Sequence, residues 1–421
     1  LGTLLPGSFR AFGQAGFREK SRIKIEVIVM NYFEFTNPTK LCSGQGALDN
    51  LAYELQILGA SHPMVLSDAM LEKIGTLKRV TDALSEMQIG RIFTDIPRDS
   101  SIETVNRIAK EYRDFGCDAL VALGGGSVLD TAKGVRLLIS QDVDDLLELM
   151  GCECVPKGKP VPFVAIPTTA GTGSEATAVA VIKNPGLGIK MEYISQQLVP
   201  DTAILDPRMT ETLPPRITAS TGMDTLCHAI EAFSCLQKNP VSDAYAIAAI
   251  GLVRDNLLRA VRFGSSRQAR WAMANASFLA GAAFSNSMVG VVHAIGHALG
   301  GVCHVPHGDA MNILLPAGMM FNCKKCRDDY GELLLHLAGP ELYRKTPKQK
   351  RARAAIEEVL RMREKLHRLT GLPVTLKEAG VDPAKFPEVA KAALNDGAVI
   401  VNPRQVTYDA VIRILEVSYG N

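Results

Sequence analysis

The run Gly222-Met223-Asp224-Thr225-Leu226-Cys227-His228-Ala229-Ile230-Glu231 places a carboxylate and an imidazole four residues apart. On a helix that spacing puts both on one face, where they can bite a single cation. Val292-His293-Ala294-Ile295-Gly296-His297-Ala298-Leu299-Gly300-Gly301 repeats the spacing with two imidazoles, and Val305-Pro306-His307-Gly308-Asp309 adds another. Five of the eight histidines (His228, His293, His297, His304 and His307) fall in these two regions, which turns a residue type that is individually more often core than ligand into a joint candidate. In one straight helix His293 and His307 would stand about 21 Å apart, too far for a common ion. Gly300, Gly301 and Pro306 are expected to end that helix and let the chain turn back. Asp224, His228, His293 and His307 then suit Fe(II) or Zn(II), with a position left open for an alkoxide oxygen. His297, one turn beyond His293, is a candidate supporting residue or proton relay, and His304 has no assigned role. The general base of an HExxH protease is missing.

Asp118 to Lys133 reads DALVALGGGSVLDTAK: a buried-type strand, three glycines, then a helix starting near Ser127. Amides at such a helix start and the helix dipole favour an anion, so Gly125, Gly126 and Ser127 form a candidate pyrophosphate site. The spacing matches neither GxGxxG nor a P-loop, and alone it supports only a generic phosphate site. Ser127 with Asp130 also reads as a capping box, a structural alternative to ligand contact. Ile166-Pro167-Thr168-Thr169-Ala170-Gly171-Thr172-Gly173-Ser174-Glu175 offers hydroxyls and amides at another strand end, where open α/β sheets bind ligands, unless it is a plain surface loop. Asp68 closes the strand Met64 to Ser67. It can bond a ribose 2′-hydroxyl and repel a 2′-phosphate, favouring NAD over NADP, or it can cap a helix.

These groups need two kinds of scaffold. From Met30 to about Leu213 short apolar runs alternate with helical segments and Gly/Pro turns, the pattern of a parallel sheet wrapped by helices. From Pro214 onward apolar residues recur three and four apart, as in Val241 to Val261 and Arg351 to Leu369, and the chain reads as all-helical. Pro214-Pro215 marks the boundary. The expected architecture is α/β plus all-α: residues 31–213 a parallel-sheet domain, 214–421 a helical metal-binding domain, and 1–30 an extension. That extension is basic, with Glu19 the single acid in Leu1 to Lys24. Met30 is read as the start of the fold, with a transit peptide as the alternative.

A chain of 421 residues exceeds one ordinary core and has room for a site between two. No apolar run is long enough to span a bilayer, so membrane insertion is not expected. The 46 basic and 44 acidic residues nearly cancel, which argues against nucleic acid and for a small-molecule substrate. Nine cysteines, an odd number without a regular framework, point to reduced thiols and a cytoplasmic setting. Cys152 with Cys154, or Cys323 with Cys326, would be a minimal metal knuckle at most.

Together GGGSVLDTAK, IPTTAGTGSE, GMDTLCHAIE and VHAIGHALGG followed by HVPHG closely resemble the iron-containing (group III) alcohol dehydrogenases, from about Asn31 onward. LHRLTGLP (Leu366 to Pro373) and Asn402-Pro403-Arg404 agree. The resemblance implies a dehydroquinate synthase-like pair of domains, an N-terminal dinucleotide-binding one and a C-terminal helical one, with nicotinamide and metal in the cleft between them. It implies metal ligands at Asp224, His228, His293 and His307. Cofactor contacts fall at Asp68, Gly125, Gly126, Ser127, Asp130, Thr168, Thr172, Thr177 and Lys190, and His297 lies near substrate. It also implies hydride transfer between NAD(P) and a small alcohol or aldehyde, Fe2+ or Zn2+ as the metal, and a homo-oligomer. Pro97-Arg98-Asp99-Ser100-Ser101 departs from the family's Asn-Pro-Thr, which leaves the adenosine-side contacts open, and Arg98 relaxes the expected cofactor choice toward NADP. Two rival functions are a sugar-phosphate cyclase, which needs several basic residues around its substrate, and a protein that only binds cofactor or metal.

Overall fold

The computed structural model describes residues 32–149, 155–186 and 189–420. Cys152 and Cys154, like the extension at 1–30, lie outside them. Phe35 onward forms one compact unit, with a sheet-bearing half followed by a helical half.

In the first half the order is β1 (Lys40–Ser43), α1 (Leu51–Ile57), β2 (Pro63–Leu66), α2 (Ala69–Lys73), α3 (Thr76–Ala83), β3 (Arg91–Phe93), α4 (Ile102–Asp114), β4 (Ala119–Gly124), α5 (Gly126–Gln141), β5 (Phe163–Pro167), β6 (Val179–Asn184), β7 (Ile189–Ile194) and β8 (Thr202–Leu205). Six strands pair in parallel in the order β1-β8-β5-β4-β2-β3. The central strands β2, β4 and β5 are buried throughout, as continuous apolar runs covered by helices on both faces must be. Because all six run the same way, the residues after β2, β4 and β5 emerge at one edge, and Gly124 lies in register with Pro167. The remaining strands, β6 and β7, form a separate antiparallel hairpin that the apolar pattern did not announce.

The second half contains α6 (Pro215–Ser234), α7 (Pro240–Arg262), α8 (Arg267–Ser287), α9 (Val291–Cys303), α10 (His307–Asn322), α11 (Arg327–Ala338), α12 (Pro340–Lys345), α13 (Lys348–Thr370), α14 (Phe386–Ala393) and α15 (Tyr408–Tyr419). α6 opens with proline at its first position, where the missing N–H costs nothing, and is buried from Gly222 through Ser234. Asn239 and Ser242 close a capping box on α7. One detail differs from the sequence expectation. Gly300 and Gly301 lie inside α9, which stops instead at His304, held in the left-handed region at φ 57°. Pro306 then precedes the first residue of α10, His307. The turn-back needed to unite His293 and His307 is real, but an imidazole residue and a proline make it.

The halves are joined by backbone and side-chain contacts. Trp271 Nε1 donates to Ser43 Oγ (2.8 Å), Gly173 N to Ser277 Oγ (3.1 Å), Ala178 N to Ser285 Oγ (3.0 Å) and Thr225 Oγ1 to Ala170 O (3.1 Å). Gly173 has φ +62°, and a Cβ there would sit 2.6 Å from Gly281 Cα on α8. Only glycine permits both that conformation and that approach.

The seven cysteines among the described residues are unpaired. Cys326 points its thiol at Ser234 O, and no potential metal group among the described residues includes Cys323 or Cys326. No single helix among the described residues is long and apolar enough to cross a membrane.

Candidate metal centre and active site

Helices α6, α9 and the start of α10 bring Asp224, His228, His293 and His307 together, with one potential ligand atom from each within 4.8 Å of all the others. From Asp224 Oδ1 the distances are 3.8 Å to His228 Nδ1, 4.0 Å to His293 Nε2 and 3.2 Å to His307 Nε2. Asp224, His228 and His293 are buried. Asp224 Oδ1, His228 Nδ1 and His293 Nε2 have no hydrogen-bond partner. Three orphaned polar atoms converging in a buried spot are costly unless something satisfies them, and a divalent cation satisfies all at once. Burial alone would raise the Asp224 carboxyl, but the imidazoles of His228, His307 and His293 hold it well below the usual carboxylate range. Burial pushes His228 down to about 3 and also lowers His307, leaving these imidazoles neutral, the form that ligates metal.

Glu231, which its spacing alone did not single out, supports this set. Its Oε2 lies 2.6 Å from His293 Nδ1 and accepts from Gly290 N (2.9 Å), while Oε1 accepts from Val292 N (2.8 Å). A carboxylate can only accept, so Nδ1 carries the proton and Nε2 keeps a lone pair for the point where the four ligand atoms converge. The same carboxylate satisfies orphan N–H groups at the α9 N-terminus. Asn402 completes that end by accepting from Val291 N (3.1 Å).

His297, one turn after His293, stacks on His307 with centroids 5.3 Å apart. Its Nδ1 bonds Asp396 Oδ2 (2.7 Å), and Glu192 Oε1 lies 3.6 Å away. Burial alone would lower this imidazole, but the Asp396 hydrogen bond and the nearby carboxylates raise it. His304 is exposed and lines the same cavity.

That cavity, about 730 Å³, runs from the imidazoles past the hairpin β6–β7 to the start of α5. Of the residues implicated in cofactor binding, Gly126, Ser127, Asp130, Thr172, Thr177 and Lys190 line it, whereas Asp68, Gly125 and Thr168 do not. Asp68 caps α2, accepting from Met70 N and Leu71 N at 2.9 Å each. Gly125 is the N-cap of α5, and Thr168 N donates to Gly124 O (3.0 Å). The capping box expected at Ser127 and Asp130 does not form, because the helix starts one residue earlier with no side-chain cap. Asp130 instead turns inward, accepting from Ser174 Oγ (2.7 Å) and Val181 N (3.0 Å), and burial raises its carboxyl. Ser127 Oγ accepts from Asp99 N (3.2 Å), and the Asp99 carboxylate pairs with Lys190 Nζ (2.6 Å). Behind this surface, buried Lys133 donates to Thr177 Oγ1 (2.8 Å) and Val179 O (2.7 Å), and burial lowers its ammonium to about 8.

A set of potential metal ligands open on one side and an anion-ready helix start face one cavity, an arrangement that suits hydride exchange with a nicotinamide. Residues 38–207 match the iron-containing alcohol dehydrogenase family, and residues 218–419 match that family's C-terminal part. The chain belongs to the iron-containing alcohol dehydrogenases. It is 38% identical over 376 residues to the probable alcohol dehydrogenase EutG of Salmonella typhimurium, covering 89% of this chain and 91% of that one. To the NAD-dependent methanol dehydrogenase of Bacillus methanolicus it is 34% identical, over 91% of this chain and 98% of that one. A crystal structure of 1,3-propanediol oxidoreductase superposes with a TM-score of 0.87 at 33% identity, covering 92% of this chain and 100% of the other. As a member of this family the chain is an oxidoreductase acting on an alcohol/aldehyde pair.

Proposed function

We propose that this dehydrogenase uses Fe(II), held by Asp224, His228, His293 and His307, with NAD as the hydride carrier and a small primary alcohol or its aldehyde as substrate. The carrying observation is the convergence of three orphaned ligand atoms at one end of the cavity whose other end is the start of α5. One carboxylate with three imidazoles also suits Zn(II), and the family's character favours iron. When bound, the metal polarises the alcohol oxygen and the nicotinamide takes up the hydride.

Each half of the chain has its own task in this reading, with residues 31–213 as the cofactor domain and 214–421 as the metal domain. The α5 N-terminus, Gly126 and Ser127 bind the pyrophosphate, Thr172 and Thr177 position the nicotinamide side, and Lys190 with Asp99 closes over the dinucleotide. Asp68, at the end of β2, is the acid that disfavours a 2′-phosphate, while Asp95, bridged to it, is paired with Arg107 at 3.1 Å. His297 takes the released proton at Nε2 while Asp396 fixes its Nδ1. Phe284, stacked on His228 at 4.3 Å, keeps the wall beside the ligands apolar and dry. The apolar neighbours Phe284, Met288 and Val289 offer no grip for a sugar phosphate, which disfavours the cyclase reading.

The test is oxidation of NADH and NADPH by anaerobically purified protein reconstituted with Fe(II) or with Zn(II), using a panel of short aldehydes. Faster turnover with Fe(II) and NADH is expected. Equal or better turnover with Zn(II) or NADPH overturns the corresponding choice.

A further inference from the structure

The two ends of the cavity carry opposite charge. On the cavity face of the hairpin, Lys183 pairs in register with Lys190, and Val181 with Glu192. The lysines stand at the end beside Asp99 and Ser127, where phosphates are received, and Lys190 is already paired with Asp99 at 2.6 Å. Glu192 is two residues further along the strand, about 7 Å on, and it faces His297 rather than the phosphate loop.

Around His297 the charge does not cancel. Asp396 and Glu192 flank its Nδ1 at 2.7 and 3.6 Å, so even an imidazolium there leaves one negative charge in excess. Asp396 is occupied by His297 and by Ala398 N (2.8 Å). Glu192 accepts no hydrogen bond among the described residues, and its side chain keeps 36% exposure toward the cavity. The other walls at this end are the apolar side chains of Phe284, Met288 and Val305, with Ser285 and the exposed imidazole of His304 beside them. The ligand set, one carboxylate and three neutral imidazoles, becomes positive once a divalent ion is bound. A substrate held there by its oxygen shares the cavity with the Glu192 carboxylate, whose ionic neighbour His297 is already bonded to Asp396.

We propose that Glu192 is a specificity-determining residue that selects aldehydes and alcohols whose far end is cationic or carries a hydroxyl donor, and disfavours those carrying an anion. This rests on the active-site reading above. A unit charge near a half-exposed carboxylate is worth about tenfold in kcat/KM.

The test uses metal-loaded enzyme, NADH and three aldehydes: cationic betaine aldehyde, its neutral isostere 3,3-dimethylbutanal, and anionic sulfoacetaldehyde. The expected order of kcat/KM is cationic, neutral, anionic, in steps of about tenfold. Glu192→Gln should narrow the cationic-to-neutral ratio to within about threefold, and Glu192→Lys should put the anion ahead of the cation. Ratios within one protein are insensitive to a general loss of folded enzyme, so a merely structural role would leave them unmoved. Unchanged ratios in both variants overturn the proposal while leaving the active-site reading intact. No NADH oxidation by the wild-type enzyme with any of the three, nor with propanal, overturns both.

Discussion

The metal end and the phosphate end of the cavity are built on opposite plans. At the metal end the working atoms belong to side chains, and three of them are left without partners in a buried place. At the phosphate end the working groups are backbone amides at the α5 start, while the side chains around them, Asp130, Thr177 and Lys133, are engaged with the protein itself. The first plan leaves a debt that a ligand must settle. The second leaves a surface whose side chains are satisfied without one, and in the proposed reading it holds its ligand through shape and dipole.

The sharpest way to break this contrast is to remove the side-chain donors. An Asp224→Ala, His293→Ala protein should lose bound metal, measured by elemental analysis, and lose NADH-linked activity by about a thousandfold or more. It should keep cooperative unfolding, because two of the three orphaned atoms go with the substitutions and only His228 Nδ1 remains. At the backbone-built end the vulnerable point is a glycine. Gly173→Ala forces a Cβ to 2.6 Å from Gly281 Cα at a positive φ, and should cost about 2 to 4 kcal/mol in denaturant unfolding.

Smaller effects sharpen the comparison. Glu231→Gln keeps shape but weakens the hold on the His293 Nδ1 proton and the α9 amides. Metal affinity should fall by about ten- to a hundredfold in competition with a chelator, whereas dinucleotide binding followed by fluorescence should stay within about twofold. The smallest is a pH effect behind the phosphate end. Glu175 is buried with both oxygens unpartnered, and burial pushes its carboxyl from the ordinary 4.5 up to about 7. The folded state therefore holds this proton to higher pH than the unfolded chain does. Its contribution is complete below about pH 4.5 and is lost as pH rises through 7. Melting temperature measured against pH should fall more steeply between about pH 4.5 and 7 for the wild type than for Glu175→Gln, with the gap closing on the acid side.

The same contrast explains what could be read from the chain beforehand. Side-chain chemistry leaves a mark in residue identity, so Asp224, His228, His293 and His307 were visible from spacing, and the strands β2, β4 and β5 from unbroken apolar runs. Where backbone geometry decides, the letters mislead. Gly300 and Gly301 looked like a helix end, but α9 runs through both and the left-handed residue is His304. Ser127 and Asp130 looked like a capping box, but the carboxylate is drawn inward by Ser174 and Val181, which are distant in sequence. Glu192 and Asp396 gave no signal because their meaning comes from His297, brought to them by three separate elements. Glu231 stands in the same motif as Asp224 and His228, and its three-residue offset from His228 points to a shared helix face without naming its partner on α9.

The contact between Gly173 and Gly281 has one further implication. With no side chain on either residue, the loop that follows β5 and the helix that leads toward the metal ligands meet main chain to main chain. In the proposed reading, the span between hydride carrier and reacting oxygen is gauged by peptide units, whose dimensions do not change when side chains do. Natural variation or engineering can reshape the substrate end through residues such as Glu192, Met288 or Ala398 without resetting that gauge.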